Sequence, residues 1–160
     1  MPEPGCRVSV VTPAYDELAN LRELLPRLRG VLESEPDLDA EVLVVLPAWA
    51  PRMEQDEVTA LGGRPVLRSP TDSFGDALRS GFAAARDDSK YVITLDADGS
   101  HDPETIRAML AAAPTAQVVI GSRYVAGGAT DNSFVLRLMS KSLNAVYGRV
   151  LGITCKDIST

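Results

Sequence analysis

Apolar and polar residues follow two rhythms along this chain, and the switches between them mark out its elements. Arg7 to Thr12 is an apolar, β-branched run that stops at Pro13 and predicts a buried strand. Leu21, Leu24, Leu25, Leu28, Val31 and Leu32 recur at helical spacing and predict a helix over Leu18 to Leu32. Pro26 falls inside that pattern, so the helix is expected either to kink there or to begin later. Glu41 to Leu46 reads as a second buried strand. Residues 47 to 56 hold two prolines and the tryptophan and read as loop, with a short helix near Met53 to Leu61. Pro65 to Arg68 predicts a third strand, Ser73 to Arg86 a helix, Tyr91 to Leu95 a strand, Pro103 to Ala113 a helix and Gln117 to Gly121 a fifth strand. Gly127-Gly128 marks a mobile loop, and Phe134 to Leu151 a long last helix. Strands alternating with helices predict an α/β fold, a doubly wound and mostly parallel sheet with helices on both faces. No repeat, low-complexity tract or linker divides the sequence, and 160 residues suit one domain with a full core.

In such a sheet the carboxyl ends of the strands gather at one edge, where ligands bind. Three polar clusters fall there. Thr12-Pro13-Ala14-Tyr15-Asp16-Glu17 follows the first strand and leads into a helix whose amides could face an anion or a nucleotide. Asp96-Ala97-Asp98 follows the fourth. Two close carboxylates repel each other, and a divalent cation shared with a phosphate compensates them: Mg²⁺ and Mn²⁺ take one or two carboxylates plus substrate phosphates. A plain polar turn is the competing reading; Asp102-Pro103-Glu104 reads as the cap of the next helix, but a cap leaves Asp96 and Asp98 unexplained. Gly121-Ser122-Arg123-Tyr124 follows the fifth strand and offers a planar, permanently charged donor fork for phosphate, against an ordinary surface ion pair.

Composition removes several function classes. A net charge of −6 argues against nucleic acid as partner. The single His101 excludes a multi-histidine metal site, and Cys6 and Cys155 form no metal-spaced motif and read as reduced thiols. Met-Pro-Glu-Pro-Gly does not read as a signal peptide, and no apolar stretch of about 18 residues spans a membrane. The expectation is a cytoplasmic chain, with peripheral contact at the inner face of the cell membrane left open.

Taken together, the motifs from Val8 to the last residue resemble the family 2 glycosyltransferases of GT-A fold, a Rossmann-like architecture. The branch they resemble most is that of the dolichol-phosphate mannosyltransferases and polyprenyl-phosphate glycosyltransferases. Val-Ser-Val-Val-Thr-Pro-Ala-Tyr-Asp-Glu is similar to the family's opening strand and nucleotide motif, and Leu-Asp-Ala-Asp-Gly-Ser-His-Asp-Pro-Glu to its metal motif. Val-Ile-Gly-Ser-Arg-Tyr-Val-Ala-Gly-Gly resembles the branch's arginine motif, Arg137-Leu-Met-Ser-Lys-Ser-Leu-Asn the helix before its acceptor site, and Asp157-Ile-Ser-Thr the start of its aspartate motif. The resemblance implies that Pro13, Tyr15 and Glu17 line a nucleotide pocket. Asp96 and Asp98 would serve Mg²⁺ or Mn²⁺ and the diphosphate of a nucleotide-sugar donor. Arg123 and Arg137 would hold the phosphate of a polyprenyl acceptor. Asp157, with Asp98, would stand at the catalytic centre, orienting the acceptor or assisting proton removal. The implied reaction inverts the anomeric carbon, with positioning and charge neutralisation dominating.

Several departures from the family pattern carry weight. Where the family has Val-Asp-Asp-Gly-Ser after its second strand, this chain has Val45-Leu46-Pro47-Ala48-Trp49, with neither carboxylate; Trp49 could stack on a base or serve packing. Gly-Leu-Gly before the third helix becomes Ser73-Phe74-Gly75, and Ser100 replaces a glutamine. The family continues past the Asp157 motif, whereas this sequence stops at Thr160, so truncation relative to the family is expected. The Phe134–Leu151 helix carries Arg137, Lys141 and Arg149 among apolar residues. It could lie on a membrane surface, pack on the core or meet a second copy in a homo-oligomer. The missing aspartates and short end favour an alternative, a non-catalytic GT-A-like binding or partner domain; transfer to a sugar hydroxyl is a weaker one.

Overall fold

Val8, Val10 and Val11 are wholly buried on strand β1 (Cys6–Pro13), which means that both faces of this strand are covered. The structure, a computed structural model, describes residues 5–121, and the chain divides into two compact units, Met1–Ala111 and Ala112–Thr160. In the first unit β1 is followed by α1 (Leu18–Glu33), β2 (Leu38–Leu46), α2 (Arg52–Ala60), β3 (Arg64–Leu67), α3 (Phe74–Ala84), β4 (Tyr91–Thr94) and α4 (Thr105–Ala112). The four strands form one sheet in the order β3-β2-β1-β4. Every pairing is parallel, with Val10 opposite Val42 on one side and Ile93 on the other. Chain order runs outward from β1 to β3 and then jumps to β4. Right-handed crossovers then require α1 and α2 on one face and α3 on the other.

The period of two along each strand sorts the core accordingly. Val8, Val10 and Ile93 pack with Leu24, Leu28 and Leu32 of α1 and with Ile106 and Leu110 of α4. Val44 and Leu46 pack with Leu21, Leu25 and Val58 on the same face. Val11, Leu43 and Val45 face Ala77 of α3 instead. Ser9 breaks the apolar run on this second face. Its hydroxyl donates to Glu41 Oε1 at 2.6 Å, and the backbone N–H of Arg86 donates to the same oxygen at 2.9 Å. Burial alone would push the Glu41 carboxyl up; hydrogen bonds from Ser9, Arg86 and Arg64 outweigh it and hold the group below its ordinary range.

Helix α1 begins at Leu18 and runs through Pro26 without ending. Pro26 is exposed, as is Arg22, whose carbonyl loses the bond that an N–H at position 26 would give. Water can satisfy that carbonyl on the solvent side, which is why the proline is tolerated. In the second unit the described residues hold a short 3-10 turn, Ala113–Thr115. The strand expected over Gln117 to Gly121 does not form among the described residues; Val118 is 74% exposed. β-Branched residues fit a pleated surface only where a paired neighbour supplies one, and the propensity of this run alone is not enough. The predicted Gly127-Gly128 loop and Phe134–Leu151 helix lie outside the described residues.

Helix α3 lies unusually close to the sheet because Gly81 has no side chain. A Cβ there would run into Val11 and sit 3.1 Å from Val45 Cγ2. Both are stiff, β-branched residues on buried strands. Gly81→Ala is therefore expected to lose about 1–2 kcal/mol net, even after the roughly 1 kcal/mol that alanine adds to a helix. Urea unfolding with an unchanged slope reads this loss; a variant as stable as the native protein would contradict the close approach.

The amino end of α3 is held by a side-chain cap and a hydrogen-bonded cluster around Asp76. Ser73 Oγ accepts from the Asp76 N–H at 3.1 Å, and the buried Asp76 carboxylate accepts from the hydroxyls of Thr71 and Ser73 and from Arg79. The Thr71 bond, then those from Arg79 and Ser73, lower its pKa from 3.8 to about 2. A depressed carboxyl stabilises the fold above its unfolded pKa and loses that contribution as pH falls through the folded one. The melting-temperature gap between the native protein and Asp76→Asn should thus be widest near neutral pH and close between about pH 4 and 2. A gap that is constant with pH would show that the cap does not depend on the charge.

Candidate functional site

All four strands end at one edge, and the loops that leave them carry the chain's most distinctive polar and aromatic side chains. Pro13 closes β1 and is buried. Tyr15, two residues on, is 56% exposed. Asp16 between Tyr15 and Glu17 adopts a left-handed φ of 59°, a conformation aspartate tolerates better than most residues and one that concentrates at functional loops. Glu17 stands before the first turn of α1, and its carboxylate accepts from the Asn20 side-chain amide.

Arg68 and Asp72, after β3, were not anticipated as site residues, and neither was Phe74 at the start of α3. The Arg68 side chain is 4% exposed and reaches back across the strand ends. Nη2 donates to the carbonyls of Ala14 and, at 3.2 Å, Val45; Nη1 donates to the Asp72 carbonyl at 3.1 Å. Its guanidinium lies 5.5 Å from the centre of the Tyr15 ring, and Trp49 meets the same ring edge-on at 5.9 Å. Pro13, Ala14, Tyr15, Arg68, Asp72 and Phe74 line a cleft of about 340 Å³. Trp49 is 57% exposed and Phe74 60% exposed, so neither serves the core. The signal that finds these residues is the strand-end rule already applied to Tyr15 and Asp96, extended to the loop after β3.

Beyond the neighbouring strand β4 the chain turns through Asp96, Ala97 and Asp98. Ala97 is buried in one cluster with Ala14, Leu21, Leu46 and Ala50, which anchors the turn beside the β1 loop. The flanking aspartates stay accessible. Asp98 Oδ1 accepts the Ser100 N–H at 2.9 Å across Gly99, whose φ is +78°. The Ser100 side chain and backbone bonds, with His101 nearby, hold the Asp98 carboxyl below its ordinary range. The Asp96 N–H donates to His101 Nδ1 at 3.3 Å, and the same nitrogen lies 3.8 Å from the Asp96 carboxylate, so the ring braces the turn. Asp102 accepts from the Glu104 N–H at 3.2 Å, as expected for the entry to α4.

Among the described residues no cluster of three or more His, Cys, Asp or Glu side chains could hold a metal by itself. Asp96 and Asp98 fit a hard divalent cation only if other oxygens complete its shell, the usual arrangement when a phosphate is co-ligand. Leu46, at the position of a family aspartate, is fully buried against Leu21, Leu25 and Val58 and cannot reach the cleft. Arg123, Arg137 and Asp157 lie outside the described residues.

Beta-one occupies the point where strand order reverses, with β2 and β3 on one side and β4 on the other. The crevice outside such a switch point is the usual ligand site of an open α/β sheet. Here it is flanked by Tyr15 and Glu17 on one strand end and Asp96 and Asp98 on the next. No helix among the described residues is long and apolar enough to cross a membrane.

Comparison with known proteins agrees with this arrangement. The model of glycosyl transferase family 2 matches residues 9–159. The chain is 33% identical to an undecaprenyl-phosphate mannosyltransferase of Micrococcus luteus, over 96% of this chain and 63% of that protein. It is 32% identical to a dolichol-phosphate mannosyltransferase of Pyrococcus furiosus, over 95% of this chain and 43% of that protein. Against an undecaprenyl-phosphate 4-deoxy-4-formamido-L-arabinose transferase of Pseudomonas fluorescens it is 31% identical, over 98% of this chain and 46% of the relative. The chain thus spans about half to under two thirds of the length of these relatives. A parallel sheet with helices on both faces, site residues at its carboxyl edge and a family match across nearly the whole sequence lead to one conclusion: the chain belongs to glycosyltransferase family 2.

Proposed function

We propose that this chain carries the donor-binding part of a metal-dependent glycosyltransferase that moves a sugar from a nucleotide-sugar to a polyprenyl phosphate. The observation that supports this reading is the pairing, at one sheet edge, of an aromatic cleft at the ends of β1 and β3 with two accessible carboxylates at the end of β4. Nucleotide-sugars have the complementary parts, a flat base and a dianionic diphosphate. The relatives' printed names, which specify polyprenyl-type phosphates as acceptors, support the acceptor class.

In this reading Tyr15 and its neighbours take the nucleoside, and Asp96 and Asp98 hold Mg²⁺ or Mn²⁺ at the diphosphate. When bound, the cation would neutralise charge on the departing nucleoside diphosphate. An oxygen of the acceptor phosphate attacks the anomeric carbon from the side opposite the leaving group. The new carbon–oxygen bond forms as the bond to the diphosphate breaks, which inverts the centre. A phosphate oxygen needs little help from a base, so Arg123 and Arg137 would act by placing and partly neutralising it, with Asp157 orienting the acceptor. An acceptor buried in lipid by its polyprenyl tail places the reaction at the membrane surface, with the chain peripheral to its cytoplasmic face.

A second reading, a binding or partner domain without catalysis, is favoured by one observation: Leu46 in the core leaves β2 without the family's carboxylates. Calorimetry with GDP- and UDP-sugars, with and without Mn²⁺, followed by a transfer assay, separates the two. Asp98→Ala should lower Mn²⁺-dependent donor affinity by tenfold or more while leaving the fold intact by circular dichroism, because it removes a direct charged ligand. Unchanged Mn²⁺-linked affinity in the folded variant would sink the metal assignment. Replacing Arg123 or Arg137 by alanine should reduce transfer to polyprenyl phosphate at least tenfold and leave donor binding within about twofold, since each would touch the acceptor alone. A parallel fall in donor affinity would move these arginines to the donor site.

A further inference from the structure

Strand β2 ends without a carboxylate of its own, yet one stands beside its end. Asp72, from the loop after β3, reaches across so that its Oδ1 accepts the Ala48 N–H at 3.2 Å. The loop is fixed on both sides. Arg68 donates to the Asp72 carbonyl, and the next residue, Ser73, caps α3 within the Thr71–Asp76 hydrogen-bond cluster. No cation lies within ion-pair distance of the Asp72 carboxylate among the described residues, so its second oxygen keeps its lone pairs for something else. Asp72 also lines the cleft shared by Pro13, Tyr15, Arg68 and Phe74.

We propose that Asp72 reads the nucleobase of the donor, accepting an N–H from guanine or uracil and doing from the β3 loop what aspartates after the second strand do elsewhere in the family. This deepens, and rests on, the nucleotide-sugar reading given above. The placement is consistent with the sheet. The ends of β2 and β4 are two strand steps apart, about 10 Å, a span a nucleoside bridges between base and diphosphate. A base at Asp72 and a diphosphate at Asp96 and Asp98 lie to either side of Tyr15, at the end of the strand between. The chemistry selects the base edge: a carboxylate offers only acceptors. Guanine presents N1–H and N2–H side by side and uracil presents its ring N3–H, whereas adenine offers only its exocyclic N6–H beside an acceptor ring nitrogen and is the weaker match for a carboxylate.

Asp72→Asn is the discriminating variant. Its amide oxygen can still accept from Ala48 and keep the loop in place, while the other oxygen becomes a donor. Calorimetry on the native chain and the variant, each with GDP, UDP, ADP and inorganic pyrophosphate in the presence of Mn²⁺, reads the effect. The expected result is a loss of about tenfold or more for whichever of GDP or UDP the native chain prefers, with ADP and pyrophosphate unchanged within about twofold. Equal affinities for GDP and UDP in native and variant would overturn the assignment. So would an equal loss for every ligand, pyrophosphate included, which would mark Asp72 as a loop brace only. A native chain that binds pyrophosphate but no nucleoside diphosphate would overturn both this assignment and the nucleotide-sugar reading, whereas loss of the Asp72 effect alone leaves that reading standing.

Discussion

The carboxyl edge of this sheet depends on one buried cation. Arg68 lies almost wholly inside, with carbonyl oxygens of Ala14, Val45 and Asp72 around its fork and, among the described residues, no carboxylate partner and no acceptor for Nε. Removing a guanidinium from water costs several kcal/mol. Hydrogen bonds from a charged donor contribute roughly 1.5–3 kcal/mol each, so three of them are of the size needed to offset that cost. The three carbonyls belong to the loop after β1, to β2 and to the loop after β3. Arg68 thereby ties three chain segments into one floor. A lysine could not replace it, because a point charge on a flexible stem lacks the planar fork that reaches several carbonyls together.

That floor explains why the site's aromatic residues can be exposed and still ordered. Tyr15 has the Arg68 guanidinium near its ring and Trp49 against its edge, so two contacts fix it without burying it. On the other side of β1, Ala97 does a similar job for the acidic turn. Its small side chain is buried beside the β1 loop, and the turn leaves Asp96 and Asp98 accessible on either side of it. The two halves of the site have separate anchors but share β1, whose central place follows from the order of crossovers rather than from any single contact.

Much of this was legible in the sequence, and the exceptions have physical causes. Strand β1, the second half of β2 and helix α1 follow directly from periodicity, because each buries a full face and leaves a clean pattern, while β3, β4 and α2 bury little and are marked by their position between turn residues. Helix α1 continues past Pro26 because the Arg22 carbonyl that loses its bond is on the exposed side, and sequence does not show which side of a helix is wet. The run from Gln117 to Gly121 failed for the converse reason, since strand propensity says nothing about whether a partner edge is present. The strand-end rule points to Tyr15, Asp96 and Asp98; Arg68 and Asp72 obey it too, but β3 is only four residues long and no recognisable polar motif follows it. Arg68 looked like the end of a short strand, and nothing local reveals that its side chain would turn inward and be buried. Trp49 reads from the sequence chiefly as a packing residue, yet it is exposed; its place beside Tyr15 is a tertiary fact.

The loss of carboxylates after β2 is best understood as a change in which element can afford charge. Leu46 is fully buried among leucines and a valine, where a side chain of its size contributes roughly 1.5–3 kcal/mol. An aspartate at that position would lose this contribution and leave a carboxylate among apolar neighbours, an additional penalty of several kcal/mol unless a partner were found. Strand β2 is therefore committed to the core up to its last residue, and polar recognition at its end must come from a loop that crosses in from outside. The segment between Arg68 and the α3 cap meets that requirement. It is held by the Arg68 bond to the Asp72 carbonyl and by the Ser73 cap with its Asp76 cluster rather than by apolar packing, so the Asp72 side chain remains accessible while the backbone is fixed. Core commitment in one strand and a rigid loop beside it are two sides of one constraint: charge can work at this edge only where the backbone, not the charged side chain, carries the packing.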